Sequence, residues 1–124
     1  MPHGPFAGAL PAGDLAVDQH RVGHRVVLSI FGDVDISTVD QLRTAIEAAS
    51  ATSSDIWLDF AATTFMDSSG VHALVEAHSR LTAANRRLAL VCPEGPVLRV
   101  LELTGVDQCL ELHPSRSAAH YATA

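Results

Sequence analysis

The stretch FMDSSGV at residues 65–71 lies where the hydrophobic pattern of the chain changes from that of a strand to that of a helix. A short apolar run at 56–58 precedes it, and apolar residues recur at helical spacing after it. Asp67, Ser68 and Ser69 are all good helix caps, because each side chain can accept a hydrogen bond from a backbone N–H group. The stretch therefore predicts a strand, a short loop and a helix that begins at these polar residues.

The same alternation of strand and helix patterns continues through the rest of the chain. Strand-like runs lie at 15–17, 25–31, 56–58, 88–92 and 109–112, and helical spacing predicts helices at 37–49, 71–85 and 97–104. In the first helix, Ser37 and Asp40 have the spacing of a capping box. This order predicts one α/β domain with a mixed, mostly parallel sheet of four or five strands and helices packed mainly on one face.

The two ends of the chain differ in composition from the segment between them. Residues 1–13 contain three prolines and three glycines, so we expect a flexible N-terminal tail followed by a domain over residues 14–124. From Pro114 onward the chain is rich in Ala and Ser, and one short helix capped by Ser115 or Ser117 is expected there.

Length and composition exclude several classes of protein. The 124 residues suit one domain, and a hydrophobic fraction of 48% is enough to form a core. All eight basic residues are scattered arginines, and the formal net charge is −6, so direct contact with nucleic acid is not expected. No apolar stretch reaches the ~18–20 residues of a membrane helix. The two cysteines form no disulfide framework, so we expect a cytoplasmic protein without membrane contact.

Candidate catalytic and metal-binding groups are few. Asp33 and Asp35 would share one face of a strand, but nothing near them supplies the nucleophile that an acid–base pair would serve, and Asp35 is better explained as a helix cap or as part of a contact surface. His72 and His78 are six residues apart and so lie on different faces of a helix, and HExxH, GxSxG and lysine-containing phosphate loops are all absent. We expect His78 at the edge of the core with a hydrogen-bonded nitrogen, and Cys92 packed as a small hydrophobic residue. The sequence predicts no catalytic residue, metal ion or cofactor.

Three motifs together resemble a known family. The stretch at 65–71 resembles the signature of anti-sigma factor antagonists, the small single-domain STAS proteins of bacteria. Residues 32–35, Gly-Asp-Val-Asp, followed by Thr38, resemble the turn after the second strand of that family. Residues 103–106, Leu-Thr-Gly-Val, are similar to its short helix ending, and the resemblance extends over roughly residues 15–120. It implies a STAS-type fold and a non-enzymatic regulator of transcription.

The resemblance further implies a partner switch controlled by phosphorylation. In that family the serine directly after the aspartate is phosphorylated, which here is Ser68. The enzyme is the anti-sigma factor itself, a serine kinase of the GHKL type, and a PP2C-like phosphatase restores the unmodified protein. The unmodified form binds the anti-sigma factor and releases the sigma factor.

The expected partner-binding surface surrounds Ser68. Its expected members are Asp33, Asp35, Thr38, Asp67, Ser69, Gly70 and His72. A phosphate on Ser68 would add negative charge beside Asp67. Because like charges on a contact surface are costly, phosphorylation is expected to weaken partner binding and to leave the fold intact.

His72 departs from the family pattern, which often has a small residue at that position. It follows Ser68 by four residues, so both lie on one face of a helix. The imidazole could narrow access for the kinase or pair with phosphoserine. It could also be a surface histidine paired with Glu76, one turn further along.

Three other functions are compatible with the sequence. The domain could be a STAS scaffold or ligand-binding module of a larger signalling or lipid-transport assembly, a small-ligand or nucleotide-binding domain, or an enzyme that uses a serine. The helix after Pro96 is apolar on nearly all sides, so it either packs into the core or leaves one face for a weak homodimer.

Overall fold

The computed structural model describes residues 13–116, which form six strands and three α-helices. In chain order the elements are β1 (Leu15–Val22), β2 (Arg25–Val34), α1 (Val39–Ser50), β3 (Asp55–Asp59), β4 (Thr63–Met66), α2 (Ser68–Ala83), β5 (Arg87–Val91), α3 (Pro96–Thr104), a 3₁₀ turn (Val106–Gln108) and β6 (Glu111–His113).

All six strands form one mixed sheet. Its order is β1-β2-β3-β5-β6, and β4 pairs with the end of β2. The β1–β2 hairpin is antiparallel and every other pairing is parallel. The predicted fold class is confirmed.

The predicted count of four or five strands is too low, and β4 is the reason. Strand β3 pairs with β2 only as far as Ser29, so the last residues of β2 have a free edge. Strand β4 fills that edge, with a shift of register between Gly32 and Asp33. Two of its four residues are exposed, and its partner lies about thirty residues earlier in the chain, so local periodicity does not reveal it.

The three helices pack on one face of the sheet. Alternate strand residues such as Val26, Leu28 and Ile30 belong to the same core cluster as Leu42, Leu74 and Leu101, which lie on α1, α2 and α3. Burial of these side chains supplies the main favourable free energy of folding.

The opposite face carries a smaller apolar cluster around the only tryptophan, with charged side chains beside it. Trp57 is fully buried together with Val27. Its Nε1–H donates to Asp55 Oδ1 at 2.9 Å. The guanidinium carbons of Arg25 and Arg87 lie 5.3 Å and 4.9 Å from the ring centroid, within the range of cation–π attraction.

Arg87 also connects this cluster to β6 through Glu111. Arg87 Nε donates to Glu111 Oε1 at 3.0 Å, and His113 Nε2 lies 2.8 Å from Glu111 Oε2. The hydrogen bond from Arg87, assisted by that of His113, lowers the pKa of Glu111 below its ordinary value of 4.5.

Because folding lowers the pKa of Glu111, part of the free energy of unfolding is expected to depend on pH. Because Glu111 binds its proton less readily in the folded state, its contribution is complete above the unfolded pKa and is lost as the pH falls through the lower folded pKa. We expect the stability difference between the wild type and a Glu111→Gln variant to shrink between about pH 5 and pH 3. Urea unfolding at several pH values measures this difference, and a difference that stays constant over that range would contradict the prediction.

Helix α3 is mainly a core element. Val97 and Leu101 are buried, and Leu98 and Val100 pack partly against the core. Leu103 is 80% exposed. The weak homodimer stays a prediction.

Most of the predicted terminal segments lie outside the described residues. Only Gly13 of the expected tail is described, and its N–H donates to Asp33 Oδ2 at 3.0 Å. The expected C-terminal helix falls largely beyond Arg116, so the domain boundaries stay predictions. Within residues 13–116, no helix is both long enough and apolar enough to span a membrane.

Candidate functional site

The candidate site lies where β2 and β4 end side by side. Asp33 is in register with Phe65, and Val34 is in register with Met66. The N–H of Asp67 continues this ladder by donating to the carbonyl of Val34 at 3.1 Å. Since neighbouring strands are about 4.8 Å apart, the turn before α1 and the start of α2 come together at one end of the sheet.

Asp35 organises the turn before α1. Its Oδ1 accepts hydrogen bonds from the Ser37 hydroxyl at 2.6 Å, from the Ser37 N–H at 2.9 Å and from the Thr38 N–H at 3.2 Å. The hydroxyl of Ser37, followed by these two N–H groups, lowers the pKa of Asp35, so it is ionised at neutral pH. The predicted capping box of Ser37 and Asp40 is wrong, because the Ser37 hydroxyl bonds back to Asp35 and α1 begins only at Val39.

Thr38 and Asp33 hold this turn against the sheet. Thr38 is buried, and its Oγ1 accepts from the N–H of Asp35 at 2.9 Å and donates to the carbonyl of Asp33 at 2.8 Å. The Asp33 carboxylate accepts from the Thr64 hydroxyl at 2.6 Å and from the Gly13 N–H at 3.0 Å. Thr38 therefore holds the turn from its buried side, and Asp33 connects it to β4 through Thr64.

The helix predicted to begin at Asp67, Ser68 and Ser69 is confirmed, but the loop predicted before it contains β4. Asp67 is the N-cap, and its Oδ1 accepts from the N–H of Ser69 at 2.8 Å. Its carbonyl accepts from Gly70 at 3.1 Å and from Val71 at 3.3 Å. Ser68, the first helical residue, is exposed, and Ser69 is partly buried.

Gly70 lets α2 approach the sheet closely. It is buried, and a Cβ atom at this position would lie 2.7 Å from Met66 Cγ and 2.8 Å from Val34 Cγ1. These distances are shorter than van der Waals contact, so no side chain fits without movement. Gly70 therefore positions the helix and Ser68 and is not itself part of the exposed surface.

The two histidines of α2 differ from expectation in their contacts. His72 is exposed, but Glu76 forms an ion pair with Arg43 of α1, with Glu76 Oε1 2.7 Å from Arg43 Nη1. The alternative that pairs His72 with Glu76 is therefore not the observed one. His78 is partly buried, as expected for a residue at the edge of the core, but its buried Nδ1 forms no hydrogen bond within the described residues. The reason is its place on the apolar stripe of α2, between Leu74 and Leu81.

Two apolar residues near the site were missed by sequence reasoning. Ile36 is 79% exposed and Phe65 is 47% exposed. Ile36 lies in the turn before α1, and Phe65 lies opposite Asp33. The available signals were weak: Ile36 is a single apolar residue among polar ones, and Phe65 is followed by the apolar Met66. Isolated exposed apolar residues are common in folded proteins.

Cys92 and possible metal ligands are the other groups that could take part in chemistry. Cys92 is buried as predicted, and burial, with a smaller effect of the Glu102 charge, raises the pKa of Cys92 to about 11. Its sulfur is therefore a thiol at neutral pH. In the described part of the chain, no group of three or more His, Cys, Asp or Glu side chains is arranged to hold a metal ion.

The cap at Asp67 gives a testable prediction. Asp67→Ala removes the acceptor for the Ser69 N–H and is expected to lower the free energy of unfolding by about 1 kcal/mol. Asp67→Asn keeps an acceptor oxygen and serves as the control, with a smaller loss. Denaturant unfolding of both variants measures the difference, and equal losses would show that the cap hydrogen bond is not what stabilises this end of α2.

Fold and site together define a class of protein: a mixed α/β domain in which an exposed serine begins a helix at one end of the sheet, next to hydrogen-bonded carboxylates. Residues 16–119 match the STAS domain. The chain belongs to the STAS domain family, as the three sequence motifs predicted.

Individual relatives agree with this assignment. The chain is 32% identical, over 83 residues, to an anti-sigma F factor antagonist of Lysinibacillus sphaericus; the match covers 65% of this chain and 71% of the relative. An anti-sigma factor antagonist from Mycobacterium paratuberculosis has the same fold, with a TM-score of 0.82, 24% identity and coverage of 91% and 97% of the two chains.

The anti-sigma factor antagonist SpoIIAA of Bacillus is similar in two solved forms. The unphosphorylated form has a TM-score of 0.61 and 29% identity, with 79% of this chain and 87% of SpoIIAA covered. The phosphorylated form has a TM-score of 0.64 and 25% identity, with 86% and 99% covered.

Proposed function

We propose that this protein is a cytoplasmic anti-sigma factor antagonist that phosphorylation of Ser68 switches off. The observation that carries the proposal is the position of Ser68, which is the exposed first residue of α2 and directly follows the capping carboxylate of Asp67. The similarity to SpoIIAA, solved with and without phosphate, supports the same conclusion.

The unmodified form binds an anti-sigma factor of the GHKL serine kinase type and so releases the sigma factor. Its contact surface is centred on Ser68 and on the turn held by Asp35, with the exposed side chains of Ile36 and Phe65 close by. The kinase supplies ATP, Mg²⁺ and the residues for phosphoryl transfer, so Ser68 needs no activating base in this chain. This chain requires no cofactor of its own.

Phosphorylation acts through charge. A phosphoserine brings about −1.5 to −2 charges, and here it follows the carboxylate of Asp67. The carboxylates of Asp67 and Asp35 are held in place by hydrogen bonds to backbone N–H groups, so they do not swing away from the new charge. The surface that meets the partner becomes strongly negative while the fold remains, and a PP2C-like phosphatase reverses the change.

The proposal is tested by incubating the protein with the anti-sigma factor kinase of the same organism and Mg-ATP. Mass spectrometry then locates the phosphate, which we expect on Ser68. The Ser68→Ala variant should remain unmodified, whereas Ser69→Ala should still be phosphorylated. Phosphate on Ser69 alone, or no phosphate at all, would overturn the assignment of the site.

A further inference from the structure

His72 lies one helical turn after Ser68. Ser68 begins α2 and both side chains are exposed. Residues four apart on a helix have Cβ atoms about 5–6 Å from each other on the same face. An imidazole N–H of His72 can therefore reach a group attached to the Ser68 oxygen.

The backbone at the start of α2 has little capacity left for an anion. The N–H of Ser69 is bonded to the carboxylate of Asp67 at 2.8 Å, and those of Gly70 and Val71 are bonded to the Asp67 carbonyl. The N–H groups of Ser69 and Gly70 are among those that bind phosphates at other helix N-termini. A phosphate on Ser68 therefore finds few backbone donors apart from the N–H of Ser68, and a side-chain donor would add to them.

The side chains around Ser68 indicate which residue can be that donor. Asp67 and Asp35 are acidic and repel a phosphate. Along α2 from Ser68, His72 is the first side chain that can carry positive charge. Glu76, the acidic residue one turn beyond His72, is engaged with Arg43 of α1 at 2.7 Å.

We propose that His72 binds the phosphate of phosphorylated Ser68 and so stabilises the phosphorylated state of this protein. The proposal rests on the proposed function, in which Ser68 is the modified residue. The contact is a hydrogen bond from the imidazole to a phosphate oxygen, and it favours the dianionic form of the phosphate. It opposes the effect of Asp67 and Asp35, whose charges favour the monoanionic form.

The test measures the phosphate directly. Phosphoserine is installed at position 68 during translation, in the wild type and in His72→Ala and His72→Arg variants, and its second ionisation is followed by ³¹P NMR. We expect the phosphoserine pKa in the Ala variant, which has no side-chain donor, to be about 0.3 unit higher than in the wild type, which is the strength of a helical i,i+4 charge pair expressed as a pKa change. The Arg variant keeps a donor and a positive charge, so its phosphoserine pKa should be no higher than that of the wild type.

A matched control is His24→Ala. His24 lies in the β1–β2 turn, at the end of β2 opposite to the candidate site, so this variant should leave the phosphoserine pKa unchanged. An equal phosphoserine pKa in the wild type and in His72→Ala would overturn the proposal, as would a rise of equal size in His24→Ala. Because the phosphate is installed without a kinase, this result does not depend on whether any kinase modifies Ser68.

Discussion

Ser68→Asp is expected to weaken binding of the anti-sigma factor by roughly 30-fold to several thousand-fold, which corresponds to about 2–5 kcal/mol. The new carboxylate would follow Asp67 directly, at the centre of the proposed contact surface. A negative side chain in the first turn of a helix is favourable for the helix itself, so the fold should be unaffected. We therefore expect Ser68→Asp to weaken partner binding without lowering the free energy of unfolding.

Calorimetric titration of the anti-sigma factor with each variant measures this effect. Ser68→Ala introduces no charge and should bind like the unmodified protein. Ser79→Asp is the matched control, because Ser79 is exposed on the same helix about 16 Å further along its axis. If Ser68→Asp binds as tightly as the wild type, charge is not the switching mechanism.

Gly70→Val is expected to lower the free energy of unfolding by about 3 kcal/mol, the upper end of the usual cost of overpacking. The first added atom would already lie 2.7 Å from Met66 Cγ and 2.8 Å from Val34 Cγ1. Both neighbours are at most 1% exposed, and the branched side chain of Val34 has little freedom to rotate away. Ala in place of Gly70 should cost less, because its better helix propensity offsets part of the strain by about 1 kcal/mol.

The control for this prediction is Ser79→Val, which makes the same residue at an exposed position of the same helix. Only a change in helix propensity of a few tenths of a kcal/mol is expected there. Thermal and urea unfolding compare the two variants, and the Gly70 variant should melt about 10 °C lower. Similar stability of both valine variants would mean that α2 can move away from the sheet at no cost.

Much of the fold could be predicted because its signals are local. The apolar runs of β2, β3 and β5 and the helical spacing of α1 and α2 lie within single segments, and all five elements are found near their predicted positions. Strand β4 could not be predicted in this way. Its four residues acquire their extended conformation by pairing with the end of β2, a segment that is distant in the sequence.

At the candidate site, too, features with local signals could be predicted and features that depend on packing could not. Ser68 was predicted at the start of a helix, because capping by Asp67 depends on neighbouring residues only. The other expected surface residues include Thr38 and Gly70, and both are buried, so they support the surface without forming it. Their burial depends on the packing of α1 and α2 against the sheet.

The sequence alone was sufficient to predict a single acidic α/β domain with Ser68 at a helix start, and its three motifs resembled the STAS family. Only the tertiary structure decided what surrounds that serine. It brings the ends of β2 and β4 together and pairs Glu76 with Arg43, so that Glu76 is not paired with His72. The reason is that capping and periodicity act between near neighbours, whereas strand pairing and ion pairs between helices depend on where distant segments meet.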